Sequence, residues 1–406
     1  MKITILLINL LLLYNCILKA NPIDSIITVN PQIKQEKKWF DKISLGGYVQ
    51  LRYNGLLQSN PDLDCEQCDK SWGGDNNFFF RRLRLRFSGD VNDHMYFYIQ
   101  PDFAIDASTG NQHFGQIRDA YFDWSVDKNK EFRFRFGQSK VPYGFENMQS
   151  SQNRLAFDRN DAINSALSNE RDLGVFFYWA PKVVRERFAH LVKSGLKGSG
   201  DYGVLGLGVF NGQTANKPEE NENKHIVARL TYPFLLKSGQ IIEPSIQAYT
   251  GRAVVTKLTK GVKSENKENE FLDQRVAGTL VVYPQPFGLQ VEYNIGKGPE
   301  FGISDSTIRV RNLKGGYVLL NYKLAIKDHL LYPFVRHHFY EGGKKFETDA
   351  RSYRVKEWEF GIEYQPFKNL EFVAMYTISD RLQNDFHLMN DHQKGSLLRL
   401  QVQLNY

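Results

Sequence analysis

The densest chemistry in the chain is the run Phe78-Phe79-Phe80-Arg81-Arg82-Leu83-Arg84-Leu85-Arg86-Phe87-Ser88. A guanidinium stays charged, and its planar fork donates two parallel hydrogen bonds to a phosphate or carboxylate. If Leu83, Leu85 and Phe87 share one face of a strand, Arg82, Arg84 and Arg86 share the other. Arg81 breaks that parity, so either a bulge turns it inward or it sits near a membrane interface. Arg52 lies on a neighbouring predicted strand, and Arg133 and Arg135 are expected across the lumen. Asp102, Asp119, Asp123 and Glu131 are expected to absorb part of this charge as wall salt bridges. Three arginines on one strand face exceed what those acids neutralise, which predicts a positive potential. A row of such moderate sites lets a small anion enter, hop and leave.

The elements that position these groups show a period of two. In Met95-Tyr96-Phe97-Tyr98-Ile99-Gln100-Pro101-Asp102-Phe103-Ala104-Ile105-Asp106 the odd positions are apolar. Phenylalanine alternates with charge in Glu131-Phe132-Arg133-Phe134-Arg135-Phe136. The end of the chain, Leu397-Leu398-Arg399-Leu400-Gln401-Val402-Gln403-Leu404-Asn405-Tyr406, sets Leu and Val against Arg, Gln and Asn. Each segment is a two-faced strand. Many run to about ten residues or more, the length that crosses a tilted bilayer path, whereas globular strands average five or six. Their apolar faces carry Phe, Tyr and Trp near the ends, as in the aromatic girdles of membrane barrels. A soluble antiparallel sheet with one wet face is the alternative these features argue against.

Sixteen candidate strands lie near 43–53, 78–90, 95–106, 115–126, 131–140, 171–180, 201–211, 224–234, 241–254, 271–283, 287–297, 307–324, 329–340, 351–365, 369–380 and 396–406. The expected fold class is all-β: a transmembrane antiparallel barrel over 43–406. Tight turns at 91–94, 127–130, 284–286 and 368–369 are placed on the periplasmic side. Longer loops near 54–77, 141–170, 212–223, 255–270 and 381–395 are placed outside. Segment 181–200 is long for a periplasmic turn, and Arg185-Glu186-Arg187-Phe188 is read as part of a strand. A barrel of this size leaves an aqueous lumen, so the polar strand faces set what passes. An arginine turned to mid-bilayer costs roughly 2–4 kcal/mol, which enforces the inward parity.

Composition agrees. The 406 residues hold 21 Tyr, 29 Phe and 14% aromatics with a net charge of +7, too aromatic for wholesale disorder. The mean hydropathy of −0.45 is too polar for a helical membrane bundle. Lys2, an apolar run from Ile3 to Leu13, and Leu18-Lys19-Ala20 read as a secretory signal over 1–20, followed by a short periplasmic segment over 21–42. Removing Lys2 and Lys19 leaves about +5. Export to the bacterial outer membrane makes nucleic acid an improbable partner, and the basic excess points to small anions or lipid head groups. Nothing implies a cofactor or a metal.

Over about 75–175 the order of motifs resembles the phosphate-selective porin O and P family. The resemblance is carried by Gly74-Asp75-Asn76-Asn77-Phe78-Phe79-Phe80-Arg81-Arg82-Leu83-Arg84-Leu85, Asp102-Phe103-Ala104 and Arg118-Asp119-Ala120-Tyr121-Phe122. It continues through Phe136-Gly137-Gln138-Ser139-Lys140-Val141-Pro142-Tyr143-Gly144-Phe145-Glu146, Ser150-Ser151 and Glu170-Arg171-Asp172-Leu173-Gly174-Val175. It implies a trimeric sixteen-stranded porin whose long third loop, here 141–170, folds into the lumen. It also implies an anion site built from Arg81, Arg82, Ser150 and Ser151, with Arg159 where a loop arginine is expected. The phosphate-specific members carry a lysine directly after the paired serines. Here Gln152 follows, with Arg154 two residues further on, so a general preference for anions is the safer expectation.

The candidate anion-binding set is therefore Arg81, Arg82, Arg84, Arg86, Arg52, Ser150, Ser151, Arg154 and Arg159. Cys65 and Cys68 are the only cysteines left after signal removal, and in an oxidising compartment they read as a disulfide. One Cys pair is too few soft ligands for a metal site. Lys257, Lys260, Lys263 and Lys267 are interleaved with acids and read as a solvated loop. His337 and His338, adjacent on a strand, face opposite sides. No nucleophile–base pair has the spacing that triad chemistry needs, so an enzymatic barrel is disfavoured. The remaining alternatives are a general or sugar-type porin and an outer-membrane adhesin.

Overall fold

The structure, a computed structural model, describes residues 39–65, 72, 77–104 and 115–406. The leader over 1–20, residues 21–38 and Cys68 lie outside the described residues. Trp39–Tyr406 forms one unit. Its strands are β1 Ser44–Leu56, β2 Phe78–Asp90, β3 Met95–Asp102, β4 Gln116–Ser125, β5 Phe132–Lys140, β6 Arg171–Trp179, β7 Leu205–Phe210 and β8 His225–Thr231. They continue as β9 Ile241–Val254, β10 Glu270–Val282, β11 Phe287–Gly302, β12 Thr307–Tyr322, β13 His329–Gly343, β14 Ser352–Phe367, β15 Leu370–Asn384 and β16 Asp391–Asn405. Short pairings at Phe234–Leu235 and Leu324–Ile326 prolong the hairpins after β8 and β12, and Lys263–Ser264 pairs with β12 from within a loop.

Each strand pairs antiparallel with the next. β16 returns to pair with β1 through Tyr48↔Asn405, Gln50↔Gln403 and Arg52↔Gln401. Closure matters because hydrocarbon offers no partner for an open edge, and a ring of strands has none. The sixteen expected strands are all present. β15 and β16 run further than predicted, to Asn384 and from Asp391, so the loop expected over 381–395 shortens to 385–390. Arg381 and Gln383 keep the inward parity of β15, and that alternation carries the strand past the apolar belt.

The alternation decides which face is which. In β16, Arg399, Gln401 and Gln403 are buried while Leu400, Val402 and Leu404 are exposed. In β14, Glu357, Glu359 and Glu363 point in while Trp358, Phe360 and Ile362 point out. The outward face also carries a cross-strand aromatic ribbon, with Phe122 stacked on Phe136 at 5.1 Å and Trp124 on Phe134 at 5.6 Å. Such pairs stabilise neighbouring strands beyond the area they cover. No helix among the described residues is long and apolar enough to cross a membrane, which says nothing against strands doing so.

Among the described residues three α-helices interrupt the strands: α1 Phe145–Met148, α2 Asp161–Ala166 and α3 Lys182–Lys193. α3 corrects the expectation of a strand at 185–188. Val184, Phe188 and Leu191 recur at the three- and four-residue spacing of a helix and are the buried side chains of α3. A search for period two passes over that pattern.

Candidate functional site

β2 gains its inward arginines through a bulge. Gln50 faces Arg82 and Leu51 faces Phe80, so Arg81 is the extra residue of the bulge. Phe79 points in before the bulge, and Arg82 and Arg84 are buried on the inner face after it. β4 repeats the device: Gln100 faces Asp119 and Pro101 faces Ile117, so Arg118 is the extra residue. Both Arg118 and Asp119 are buried as a result. A straight strand would have turned one of them towards lipid.

The partners of these arginines differ. Arg84 ion-pairs with Asp102 at 2.7 Å and donates to Tyr48 Oη at 2.6 Å. Arg135 grips Asp123 with two bonds of 2.7 and 2.9 Å, Arg171 meets Asp119 at 2.9 Å, and Arg133 meets Asp201 at 2.7 Å. Arg52 donates to Gln401 Oε1 at 2.7 Å and to the Phe157 carbonyl at 3.1 Å, with Asp158 at 3.6 Å. Arg82, only 4% exposed, donates to Gln50 Oε1 at 2.7 Å. Among the described residues no carboxylate lies within ion-pair distance of Arg82, Arg86 or Arg118. Arg86 is half-buried, and Arg118 donates to the Asn169 carbonyl at 3.2 Å.

Segment 141–170, between β5 and β6, is bonded to inner-face groups of many strands. Ser151 Oγ lies 2.6 Å from Tyr48 Oη and accepts from Arg84 at 3.3 Å. Gln403 donates to the Gln152 carbonyl at 3.1 Å, and Arg399 to Asp158 at 2.6 Å. Arg381 reaches Asp161 at 3.0 Å, Arg275 reaches Ser165 Oγ at 2.6 Å, and Arg336 reaches Glu146 at 2.5 Å. Leu155, Ala156 and Phe157 pack with Tyr317, Leu319, Phe334 and Met375 on the inner faces of β12, β13 and β15. Burying that apolar surface contributes about 25 cal/mol per Å² removed from water.

Within the segment, Glu170 gathers the positive charge. It pairs with Arg171, with Arg159 at 3.3 Å, with Arg154 at 3.6 Å and with Lys140 at 3.8 Å. Burial alone pushes the Glu170 carboxyl up, but the four cations outweigh it and hold it well below the usual range. Burial lowers Arg159 to about 10, against the opposing pull of Glu170. Arg159 also donates to Asn147 Oδ1 and the Leu167 carbonyl, both at 2.9 Å.

Residues 57–406 match the model of the phosphate-selective porin O and P family. The chain belongs to that family. It is an outer-membrane porin, a channel rather than an enzyme. No curated protein matches the sequence of this porin. Solved structures share its fold at low identity. The outer-membrane channel DcaP of Acinetobacter baumannii has 13% identity and a TM-score of 0.55, covering 90% of this chain and 97% of that one. An anion-selective porin from Comamonas acidovorans has 10% identity and a TM-score of 0.53, covering 90% and 99%. OmpF of Salmonella typhi in complex with daunomycin has 12% identity and a TM-score of 0.53, covering 90% and 97%.

Of the residues selected from sequence, Arg84 and Ser151 are in direct contact in this porin. Arg154 and Arg159 come together on Glu170, and Arg52 reaches the same segment through Phe157 and Asp158. Ser150 is half-buried beside Ser151 and holds the Asn153 amide through its own carbonyl at 2.9 Å. Arg118, Lys140 and Glu170 were not selected. The signal for Arg118 was present: two adjacent charges in a strand, Arg118-Asp119, demand a bulge as Arg81-Arg82 does. Cys65 is disulfide-bonded, while Cys68 lies outside the described residues. His338 and His337 face opposite sides, as expected: His338 Nε2 is 2.6 Å from Glu357, and the His337 ring lies tilted against Trp358 with centroids 4.4 Å apart. Asp161, His338 and Glu357 bring three possible metal ligands together. Arg381 already bridges the two carboxylates, at 3.0 and 2.7 Å.

Proposed function

We propose that this porin conducts small anions selectively by passive diffusion, phosphate and polyphosphate-like anions foremost, and that segment 141–170 is the in-folded loop that narrows the path. The observation that carries the reading is Arg82, a buried guanidinium on the inner wall with a neutral amide oxygen for a partner and, among the described residues, no carboxylate at ion-pair distance. A buried charge without a counter-charge costs free energy, and a passing anion supplies the missing one. Arg86 and Arg118 extend that potential along the wall. Arg81, Arg84 and Arg52 stand beside it, and the loop adds Arg154 and Arg159, whose charge is shared with Glu170. Ser150 and Ser151 supply neutral hydroxyls. Lysine is absent after the paired serines, where Gln152 stands, so the attraction is to anions generally, with phosphate favoured by the geometry of the guanidinium fork. The protein is expected to work as a homotrimer in outer-membrane lipid.

The test is single-channel recording in chloride with phosphate or pyrophosphate added. A reversible, concentration-dependent drop in chloride current supports an anion site in the path. Current that ignores both oxyanions refutes the phosphate preference.

A further inference from the structure

The connection between β6 and β7 has no role in the proposal above. It leaves the end of the barrel that carries both strand termini and the short turns, and it does not turn straight back. The side chains of α3 at Val184, Phe188 and Leu191 pack on Ile241, Val281 and Tyr283, inward residues at the ends of β9 and β10. Beyond the helix, the Ser194 carbonyl accepts from Lys323 at 2.7 Å and the Gly195 carbonyl from Tyr332 at 2.9 Å. Lys197 Nζ then reaches Glu363 at 2.5 Å. Those partners follow β12 or sit on β13 and β14, about half-way round a sixteen-stranded ring from β6. The chain then returns, and the Val204 amide donates to the Trp179 carbonyl at 2.7 Å. Residues 180–204 thus form a strap from one wall to the opposite one.

The strap also meets segment 141–170, which starts from the other end of the barrel. Gln149 Nε2 donates to the Lys197 carbonyl at 2.7 Å, and Phe145 shares the apolar cluster of α3. The strap carries Lys182, Arg185, Arg187, Lys193 and Lys197 against Glu186 and Asp201. A barrier of that charge obstructs bulk without repelling an anion.

We propose that residues 180–204 are a second constriction, in series with segment 141–170 on the terminus-bearing side, and that they set the upper size of the anions that pass. The inference rests on the reading of the barrel as the anion path. Its test separates the two claims by measuring conductance and reversal potential together. One variant replaces Pro181–Gly203 with a tight Asn-Gly turn between the paired ends Trp179 and Leu205. A second, Gln149→Ala, cuts the bond between strap and loop and alters no strand. The shortened barrel is expected to conduct more by about two-fold or more and to admit larger anions such as a nucleotide. Gln149→Ala is expected to raise conductance and open-channel noise by a smaller amount. If the shortened chain does not fold, Gln149→Ala decides alone. Wild-type conductance and size limit in every variant that folds overturns the strap. A wild-type barrel without anion preference counts against the proposed selectivity, and the strap is still judged by conductance.

Discussion

Arg82 and Arg84 stand two residues apart on the same face of β2, yet Arg84 meets Asp102 at 2.7 Å while Arg82, among the described residues, meets the Gln50 amide oxygen, also at 2.7 Å. Register sets this difference: Gln50 of β1 stands opposite Arg82, whereas Arg84 has Tyr48 of β1 on one side and Asp102 of β3 on the other. Arg84 is tied into an ion pair, whereas Arg82 is held by a neutral amide oxygen.

Arg84→Gln and Arg82→Gln remove the same charge with different consequences. The first strands Asp102 and cuts the links to Tyr48 and Ser151, so it is expected to cost about 3–5 kcal/mol. The second breaks one bond to a neutral amide, at about 1 kcal/mol. Denaturant unfolding in micelles ranks them. Equal losses contradict the assignment.

Glu170→Gln removes the carboxylate shared by Lys140, Arg154, Arg159 and Arg171. Segment 141–170 is expected to loosen, with a stability loss of about 3–5 kcal/mol. Anion preference is expected to rise, because four cations lose their counter-charge. Protease susceptibility of the segment and reversal potential check the two halves separately.

The strands were legible in the sequence because a bilayer enforces strict alternation: a misplaced Arg82 or Glu357 has no refuge in hydrocarbon. The helix at 182–193 was missed because its signal has another period, Val184, Phe188 and Leu191. The hub at Glu170 was missed for a different reason. It sits within a recognised motif, but Arg154 and Arg159 reach it only through the three-dimensional path of the loop. Arg118 lay within reach of the parity argument applied to Arg81.

The loop carboxylates give the pH dependence. Burial pushes the carboxyls of Glu170, Asp158 and Glu146 up, yet their basic partners hold all three below the usual range. Each therefore contributes stability that is complete above the ordinary carboxylate pKa of about 4 and is lost as pH falls through the lower folded value. Conductance is expected to stay constant from neutral pH down to about 5 and to become noisy only in stronger acid. A transition near pH 6 in single-channel records contradicts this picture.

Cys65 closes a disulfide in the first long loop, and Arg381 donates to its sulfur at 3.6 Å. Non-reducing peptide mapping is expected to recover Cys65 joined to Cys68. Free Cys68 alkylated in the folded, unreduced protein contradicts that pairing.

The most direct test of anion selectivity is the reversal potential across a planar bilayer under a potassium chloride gradient, for the wild type and for Arg82→Gln combined with Arg86→Gln. The account predicts a wild-type potential of the sign for chloride over potassium, moving towards zero in the double variant. A wild type that favours potassium, or a double variant with unchanged preference, contradicts it.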